Sequence, residues 1–171
     1  MSTSSTARRF ALPAVLACAL SLAACGGDSV SVSAPSVSGV AARQCAAVKA
    51  ALPATLNGLK RRKTSPDAVT VAAWGDPAIT LRCGVAQPGV VNAASPDYDP
   101  TGQRSQGMED NGVCWVAVPK QGGGMVLTTV KQHTYVEVTV PSKYQESPLA
   151  ALAGPVGRND PQDPEHRFEC S

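Results

Sequence analysis

Apolar residues along this chain recur with different periods, and each period predicts a different element. From Phe10 to Leu22 they are almost continuous over 13 residues. From Ala41 to Leu52, Cys45, Val48 and Leu52 recur at i, i+3 and i+7, which predicts a helix that Pro53 stops. From Ala68 the period falls to two. Val69, Val71 and Ala73 alternate with Thr70 and Ala72, and Ile79, Leu81 and Cys83 alternate with Thr80 and Arg82. Two neighbouring antiparallel strands are expected on either side of the break at Trp74-Gly75-Asp76-Pro77. Val113–Val118 reads as a strand launched by Asn111-Gly112, and Gly122-Gly123-Gly124 as the hairpin into Met125–Val130. Val136, Val138 and Val140 face one way and Tyr135, Glu137 and Thr139 the other, as in a half-buried strand with one wet face. Ser147 then caps a helix with Pro148 at its first position. Leu149, Leu152, Ala153 and Val156 share its inner face, and Gly154-Pro155 is expected to end or kink it.

The polar stretches divide the chain. Asn57-Gly58 marks a turn, and Lys60-Arg61-Arg62-Lys63 with Thr64-Ser65-Pro66 reads as a polar loop. Gly84 to Gly112 is rich in Pro, Gly and Asn and is long for a loop inside a compact domain. It either hides a short strand or is the functional loop. No internal repeat is present. Strands joined mostly by hairpins imply an α+β fold: a small two-layer domain, mainly an antiparallel sheet of about five strands with two helices on one face, stabilised by disulfides. The expected division is a lipoprotein signal peptide at 1–24, a lipidated cysteine and Ser-rich flexible tether at 25–40, a single α+β domain at 41–157 and a polar C-terminal tail at 158–171.

The first apolar run is shorter than the roughly 20 residues a bilayer requires, and behind Arg8-Arg9 it fits the h-region of a secretory signal. It ends in Leu22-Ala23-Ala24-Cys25-Gly26, small residues before a cysteine, the pattern of a bacterial lipobox. A thiol is needed there because it becomes a thioether to diacylglycerol before cleavage frees its amine. Cys25 is therefore the expected lipidation site, and two or three acyl chains would hold the protein on the extracytoplasmic face of the cell membrane. Arg8-Arg9 hints at twin-arginine export, but a disulfide-bonded domain is easily exported unfolded, and the general secretory route is favoured. Five serines between residues 26 and 38 read as a flexible tether, with a reach of about 20 Å. Val30 and Val32 alternate there, yet serine density argues against a strand.

Charge changes the picture only after processing. The chain of 171 residues carries a net charge of +2, and loss of residues 1–24 removes Arg8 and Arg9, leaving 13 basic and 13 acidic side chains. A nucleic-acid partner is not expected of a chain without a basic surplus. Aromatic residues are 4%, so Val, Leu and Ala must build most of the core. Of the six cysteines, Cys18 lies in the signal and Cys25 takes the lipid. Cys45, Cys83, Cys114 and Cys170 remain, in an oxidising compartment, and imply two disulfides with three possible pairings. Cys45–Cys83 with Cys114–Cys170 is the working expectation; spacing leaves the other two pairings open. No CxxC or Cys/His pair stands at ligand spacing, so neither a metal nor a cofactor is expected.

Candidate chemistry is sparse. Trp74, Asp76, Arg82 and Trp115 are the best candidate surface for a ligand or partner, since exposed tryptophans bind sugar faces and Asp or Arg would fix hydroxyl or carboxylate groups. The competing reading makes both tryptophans core anchors and Asp76 a turn residue, and it is preferred. Lys60 to Lys63 can meet anionic phospholipid or wall polymer, although a short basic run is more often a solvated loop; Arg61 and Arg62 also have Asp76 or Glu137 as candidate internal partners. His133 is placed at a strand turn, and His166 in the acidic tail with Asp160, Asp163 and Glu165, at a spacing that fits no calcium-binding loop. No nucleophile elbow and no phosphate-cradling loop is present, so no catalytic residue is assigned.

Several stretches together resemble one family. They are Cys45 to Leu52-Pro53, Leu59 to Arg61-Arg62, Ala73-Trp74-Gly75-Asp76-Pro77-Ala78-Ile79, Leu81-Arg82-Cys83-Gly84-Val85, Tyr98-Asp99-Pro100, Asn111-Gly112-Val113-x-Trp115 and Tyr135-Val136-Glu137-Val138-x-Val140-Pro141. Their order and spacing are similar to the actinobacterial envelope proteins grouped as domain of unknown function 3515, many of them lipoproteins by sequence. The resemblance covers residues 45 to about 155 and is most specific at Trp-Gly-Asp-Pro followed by Leu-Arg-Cys-Gly. It implies an envelope location and no known activity. It also matches Cys45 and Cys83 to family cysteines, while Cys114 stands where an acidic residue is more usual and Cys170 lies beyond the matched region. Two extra cysteines arriving together imply a pair. The expected function is a lipid-anchored, non-catalytic envelope module that binds a ligand or partner. The alternatives are a small extracytoplasmic enzyme acting on wall or lipid, with the Gly84–Gly112 loop closing over His133 or Asp76, and an accessory subunit of a membrane complex.

Overall fold

A computed structural model describes residues 29–166 and 168–170. The expected signal segment, Cys25 and the start of the tether lie outside the described residues. In chain order the elements are β1 (Val30–Ser31), α1 (Gly39–Ala51), β2 (Thr55–Leu56), β3 (Leu59–Arg62), β4 (Thr64–Ser65), β5 (Val71–Trp74), β6 (Ile79–Cys83), β7 (Gln106–Asp110), β8 (Val113–Pro119), β9 (Met125–Thr129), β10 (Val136–Val140) and α2 (Leu149–Asn159). Eight strands form one antiparallel sheet in the order β2-β3-β5-β6-β10-β9-β8-β7, and β1 pairs with β4 in a separate parallel ribbon. The α+β class and the helices on one face hold, but the sheet is larger than the five strands expected.

The extra strands come from segments whose polarity disguised them. Lys60-Arg61-Arg62 is not a loop: β3 bonds β5 with Arg61 opposite Trp74 and Arg62 opposite Ala73. Its arginines are only partly buried and bond to the carbonyls of Leu52 and Gly75, which offsets part of the cost of removing them from water. The long Gly84–Gly112 segment hides β7, which pairs with β8 from Gln106–Ala117 to Asp110–Val113. The tether is likewise not free. Val30 N–H donates to Lys63 O at 2.8 Å, Val32 N–H to Ser65 O at 3.1 Å, and Val32 is buried. Backbone pairing decides this strand, which the serines obscured. The first predicted strand, by contrast, is shorter than expected, because Val69 is exposed and only Val71–Trp74 pair.

Alternation along the sheet sorts the side chains into two cores. Ala72, Trp74, Ile79, Leu81, Trp115, Leu127, Val136 and Val138 face the helices and pack with Val48 of α1 and Leu149, Leu152 and Val156 of α2. The register enforces this, since Val136 lies opposite Cys83 and Val138 opposite Leu81 while Glu137 and Arg82 share the other face. A smaller core of Val90, Cys114, Val116 and Val130, with Phe168 and Cys170, covers part of that second face. Residues 158–171 are therefore not simply a polar tail: Asp160 is fully buried and Gln162 bridges to Gln132. Helix α2 also runs on through Pro155 to Asn159 rather than ending there. The helix starts at Leu149 with Pro148 in the capping position, one residue later than expected, and Ser147 Oγ accepts the Leu149 N–H at 3.4 Å from just before the cap.

Both disulfides follow the working expectation. Cys45–Cys83 ties α1 to β6, and Cys114–Cys170 ties the tail to β8. Beside the first, Gly84 has φ +85°, and a Cβ there would collide with Val37 Cγ1 of the tether. Replacing Cys45 and Cys83 together by serine is expected to lower the unfolding free energy by about 4 kcal/mol, read from urea denaturation. A loss below about 1 kcal/mol would mean that packing alone holds the layers together. Gly84→Ala should cost about 2 kcal/mol or more in the same assay, because the residue would meet both a strained backbone and a steric clash.

Candidate functional site

Trp74, Asp76, Arg82 and Trp115, first picked out as a surface, do not form one. Trp74 and Trp115 are both fully buried, which corrects their candidacy for a ligand surface and agrees with the preferred reading of both as core anchors. Trp74 Nε1 donates to Pro53 O at 3.0 Å, whereas Trp115 Nε1 is buried with no hydrogen-bond partner among the described residues. Asp76 is exposed at the β5–β6 turn, where Lys143 Nζ donates to its carbonyl at 2.9 Å and Tyr144 Oη to that of Pro77 at 2.7 Å. Arg82 lies on the sheet face away from the helices. It pairs with Glu137 at 3.1 Å and donates to Ser33 O at 3.0 Å, so it clamps the tether. Glu137 is thus the partner of Arg82, not of Arg61 or Arg62.

Arg61 and Arg62 belong instead to a basic cleft near the β2 edge. The cleft has a volume of about 590 Å³, and Ser29, Lys49, Lys63 and Asp67 line it with them. Arg61 stacks over the Trp74 ring at 5.4 Å and donates to Leu52 O at 3.4 Å. Burial lowers its pKa from the usual guanidinium value, against the opposing charge of Asp67. Arg62 donates to Gly75 O at 3.0 Å. Lys49, on the last turn of α1, donates at 2.7 Å to both Asp67 Oδ1 and Ala68 O. That hydrogen bond and the lysine charge hold the Asp67 carboxyl below its ordinary range. Lys49 and Asp67 were not legible as site residues, since nothing in the spacing joins the end of α1 to the β4–β5 connection.

A second cluster gathers both histidines. His133 Nδ1 stands 3.1 Å from Asp163 Oδ2, and His166 Nε2 stands 3.9 Å from the same oxygen and 3.3 Å from Tyr135 Oη. His166 Nδ1 lies 2.9 Å from the Gln132 carbonyl, which can only accept, so Nδ1 carries the hydrogen. In the neutral ring Nε2 is then free to accept from the Tyr135 hydroxyl. The Tyr135 and His166 rings stack at 5.1 Å. The N–H of Glu165 is the main cause that lowers the Asp163 pKa, and the two histidines add to it. Burial and the Asp163 charge raise that of Tyr135. Glu165 itself is exposed and takes no ligand position. Among the described residues no group of three or more His, Cys, Asp or Glu is placed to hold a metal ion.

Under this cluster lies Asp160. One carboxyl oxygen accepts the Thr134 N–H at 3.1 Å, and the other is buried with no hydrogen-bond partner among the described residues. Burial pushes its pKa up to about 7, with the Thr134 N–H and the His133 charge opposing. The whole cluster joins the tail to the β9–β10 connection, as His133 N–H to Pro161 O at 3.0 Å and Asp163 N–H to Lys131 O at 2.7 Å show. The 85–105 segment meanwhile folds on itself around Asp99, which accepts from the N–H groups of Gln103 and Arg104 and from the Ser105 hydroxyl. The N–H of Arg104 is the main cause holding the Asp99 carboxyl below its ordinary range.

These features define a disulfide-crosslinked α+β domain with a basic cleft toward one sheet edge and a histidine–carboxylate clip on its C-terminal segment. The family model of DUF3515, a protein of unknown function, matches residues 10–165, and the chain belongs to that family. No curated protein and no solved structure matches it.

The raised pKa of Asp160 has a defined consequence for stability. Its unfolded value of about 3.8 lies below the folded value of about 7, so folding takes up a proton between them. The contribution is most favourable below pH 4 and is lost as pH rises to 7, by up to about 1.4 kcal/mol per unit. The lowered carboxyls of Asp99 and Asp163 act the other way and below that window. Asp160→Asn keeps the Thr134 bond but cannot ionise. Relative to wild type it should gain about 2 kcal/mol or more between pH 4.5 and 7 in urea denaturation. Parallel pH profiles for the two proteins would show that the Asp160 carboxylate is solvated instead.

Proposed function

We infer that the protein is a lipid-anchored extracytoplasmic envelope module that acts by binding rather than by catalysis. The observation that carries this reading is Leu22-Ala23-Ala24-Cys25 at the end of an apolar run too short to span a bilayer. Two disulfides fit an oxidising compartment. Among the described residues no helix is long and apolar enough to cross a membrane. Cys25 is the acceptor of diacylglycerol, and the exported domain is held at the cell membrane by that lipid.

One observation favours a second reading, a small extracytoplasmic enzyme acting on wall or lipid: His133, Asp163, His166 and Tyr135 converge near the surface. Their contacts serve the tail, however, and the hydrogen bonds of the 88–105 segment run within it rather than across to His133 or Asp76. An accessory subunit would need an apolar sheet edge to cover, and the β7 edge carries exposed Gln106 and Glu109.

Cells expressing the full chain and fed an alkyne-tagged fatty acid test the anchor. Wild type should carry label on a peptide beginning at Cys25 and sediment with membranes. Cys25→Ala should remain uncleaved and unlabelled. Recovery of a wild-type N-terminus with a free Cys25 thiol would overturn the reading.

A further inference from the structure

We propose that the basic cleft lined by Lys49, Arg61, Arg62 and Lys63 is a membrane-facing surface that docks on anionic phospholipid headgroups. The inference rests on the lipid anchor proposed above and adds the orientation of the domain and the chemistry of what it faces. Two independent observations carry it: the composition of the cleft, and the place where the tether leaves the fold.

The cleft holds four cationic side chains and one acid, Asp67, which is paired with Lys49 at 2.7 Å. Counting Asp28 as well, the acid before Ser29 in the sequence, still leaves a surplus of two positive charges. The mature chain as a whole has no surplus, so the charge is concentrated rather than general. Ser29 lines this same cleft, and Val30 N–H is bonded to Lys63 O at 2.8 Å. The tether therefore enters the fold at the cleft. Five residue steps separate Cys25 from Val30, and a fully extended chain covers them in about 18 Å. A flexible tether of 16 residues would let the domain turn freely, but from Val30 onward the chain is bonded to β4, clamped by Arg82 and packed at Val37 against Gly84. A lipid on Cys25 thus brings the headgroup layer within a short leash of Lys63. There a cationic surface gains from anionic lipid, and loses that gain beyond a Debye length of about 8 Å at physiological salt.

The test couples the mature chain to vesicles through Cys25 with a maleimide lipid. Cys25 is its only free thiol, because the other four cysteines are in disulfides. Acetylation of each lysine is then followed by mass spectrometry on neutral phosphatidylcholine vesicles and on vesicles with 30% phosphatidylglycerol. Lys63 should react about fivefold more slowly on the anionic vesicles, the factor that corresponds to about one cationic contact, and recover in 1 M salt. Lys120, on the β8–β9 turn and five strand spacings or about 24 Å from β3, should react alike on both. Lys63→Glu, an exposed position where folding is not at risk, should abolish any protection of Lys49. Equal rates at Lys63 on both vesicles, or equal slowing at Lys63 and Lys120, would overturn the proposal. Loss of protection on adding inorganic phosphate at matched ionic strength would make the cleft a site for free phosphate and would overturn it too. Because the link is made chemically, these outcomes are independent of cellular acylation. An unlabelled Cys25 in cells refutes the anchor alone, and absence of a phosphatidylglycerol effect refutes the docking surface alone.

Discussion

Cys45 on α1 and Cys83 on β6 are joined at the point where helix layer, sheet and tether meet. The bond fixes how α1 lies across the sheet, and the next residue, Gly84, leaves room for Val37. Its backbone N–H and that of Val85 both reach Tyr135 O, so the chain leaving β6 is held to the chain entering β10. The insertion of β10 between β6 and β9 is the longest-range feature of the sheet, and it is stabilised beside this crosslink. With few aromatics to bury, a domain of this size gains most from a link that restricts its unfolded chain.

The second disulfide does for the outer sheet face what the first does for the inner one. Cys114–Cys170 brings Phe168 and Cys170 onto Val90, Val116 and Val130, which would otherwise be a wet apolar patch. The histidine–carboxylate clip at His133 and Asp163 continues the same attachment further up the tail. Its contacts hold the C-terminal segment to the β9–β10 connection, and the buried Asp160 beside it makes that attachment sensitive to pH.

The tether links fold to proposed function. From Val30 the chain is paired with β4, so the proposed anchor on Cys25 would constrain which side of the domain faces a bilayer. The basic cleft stands at that exit because β3 carries Arg61 and Arg62, Lys63 follows it directly, and the next strand, β4, pairs with β1.

Local pattern alone determined the elements with strong periodicity: α1, β6, β8 to β10 and the inner face of α2 were legible because apolar spacing of 3.6 or 2 follows from burial on one face. The proposed export signal and its cysteine rest on sequence alone, since such a segment is read as extended chain rather than as a fold. Tertiary structure decided what spacing does not encode. β3 and β1 are held by backbone pairing with β5 and β4, and backbone hydrogen bonds leave no mark on side-chain hydrophobicity. Trp74 and Trp115 are the core anchors that the sequence reading preferred, and the register of β5 and β8 is what turns both toward the helices. Lys49 joined Arg61 across the chain, and Asp160 became a buried acid, because packing brought distant segments together. A carboxylate in a polar tail looks solvated in sequence, and only the closure of the tail against Thr134 removes it from water.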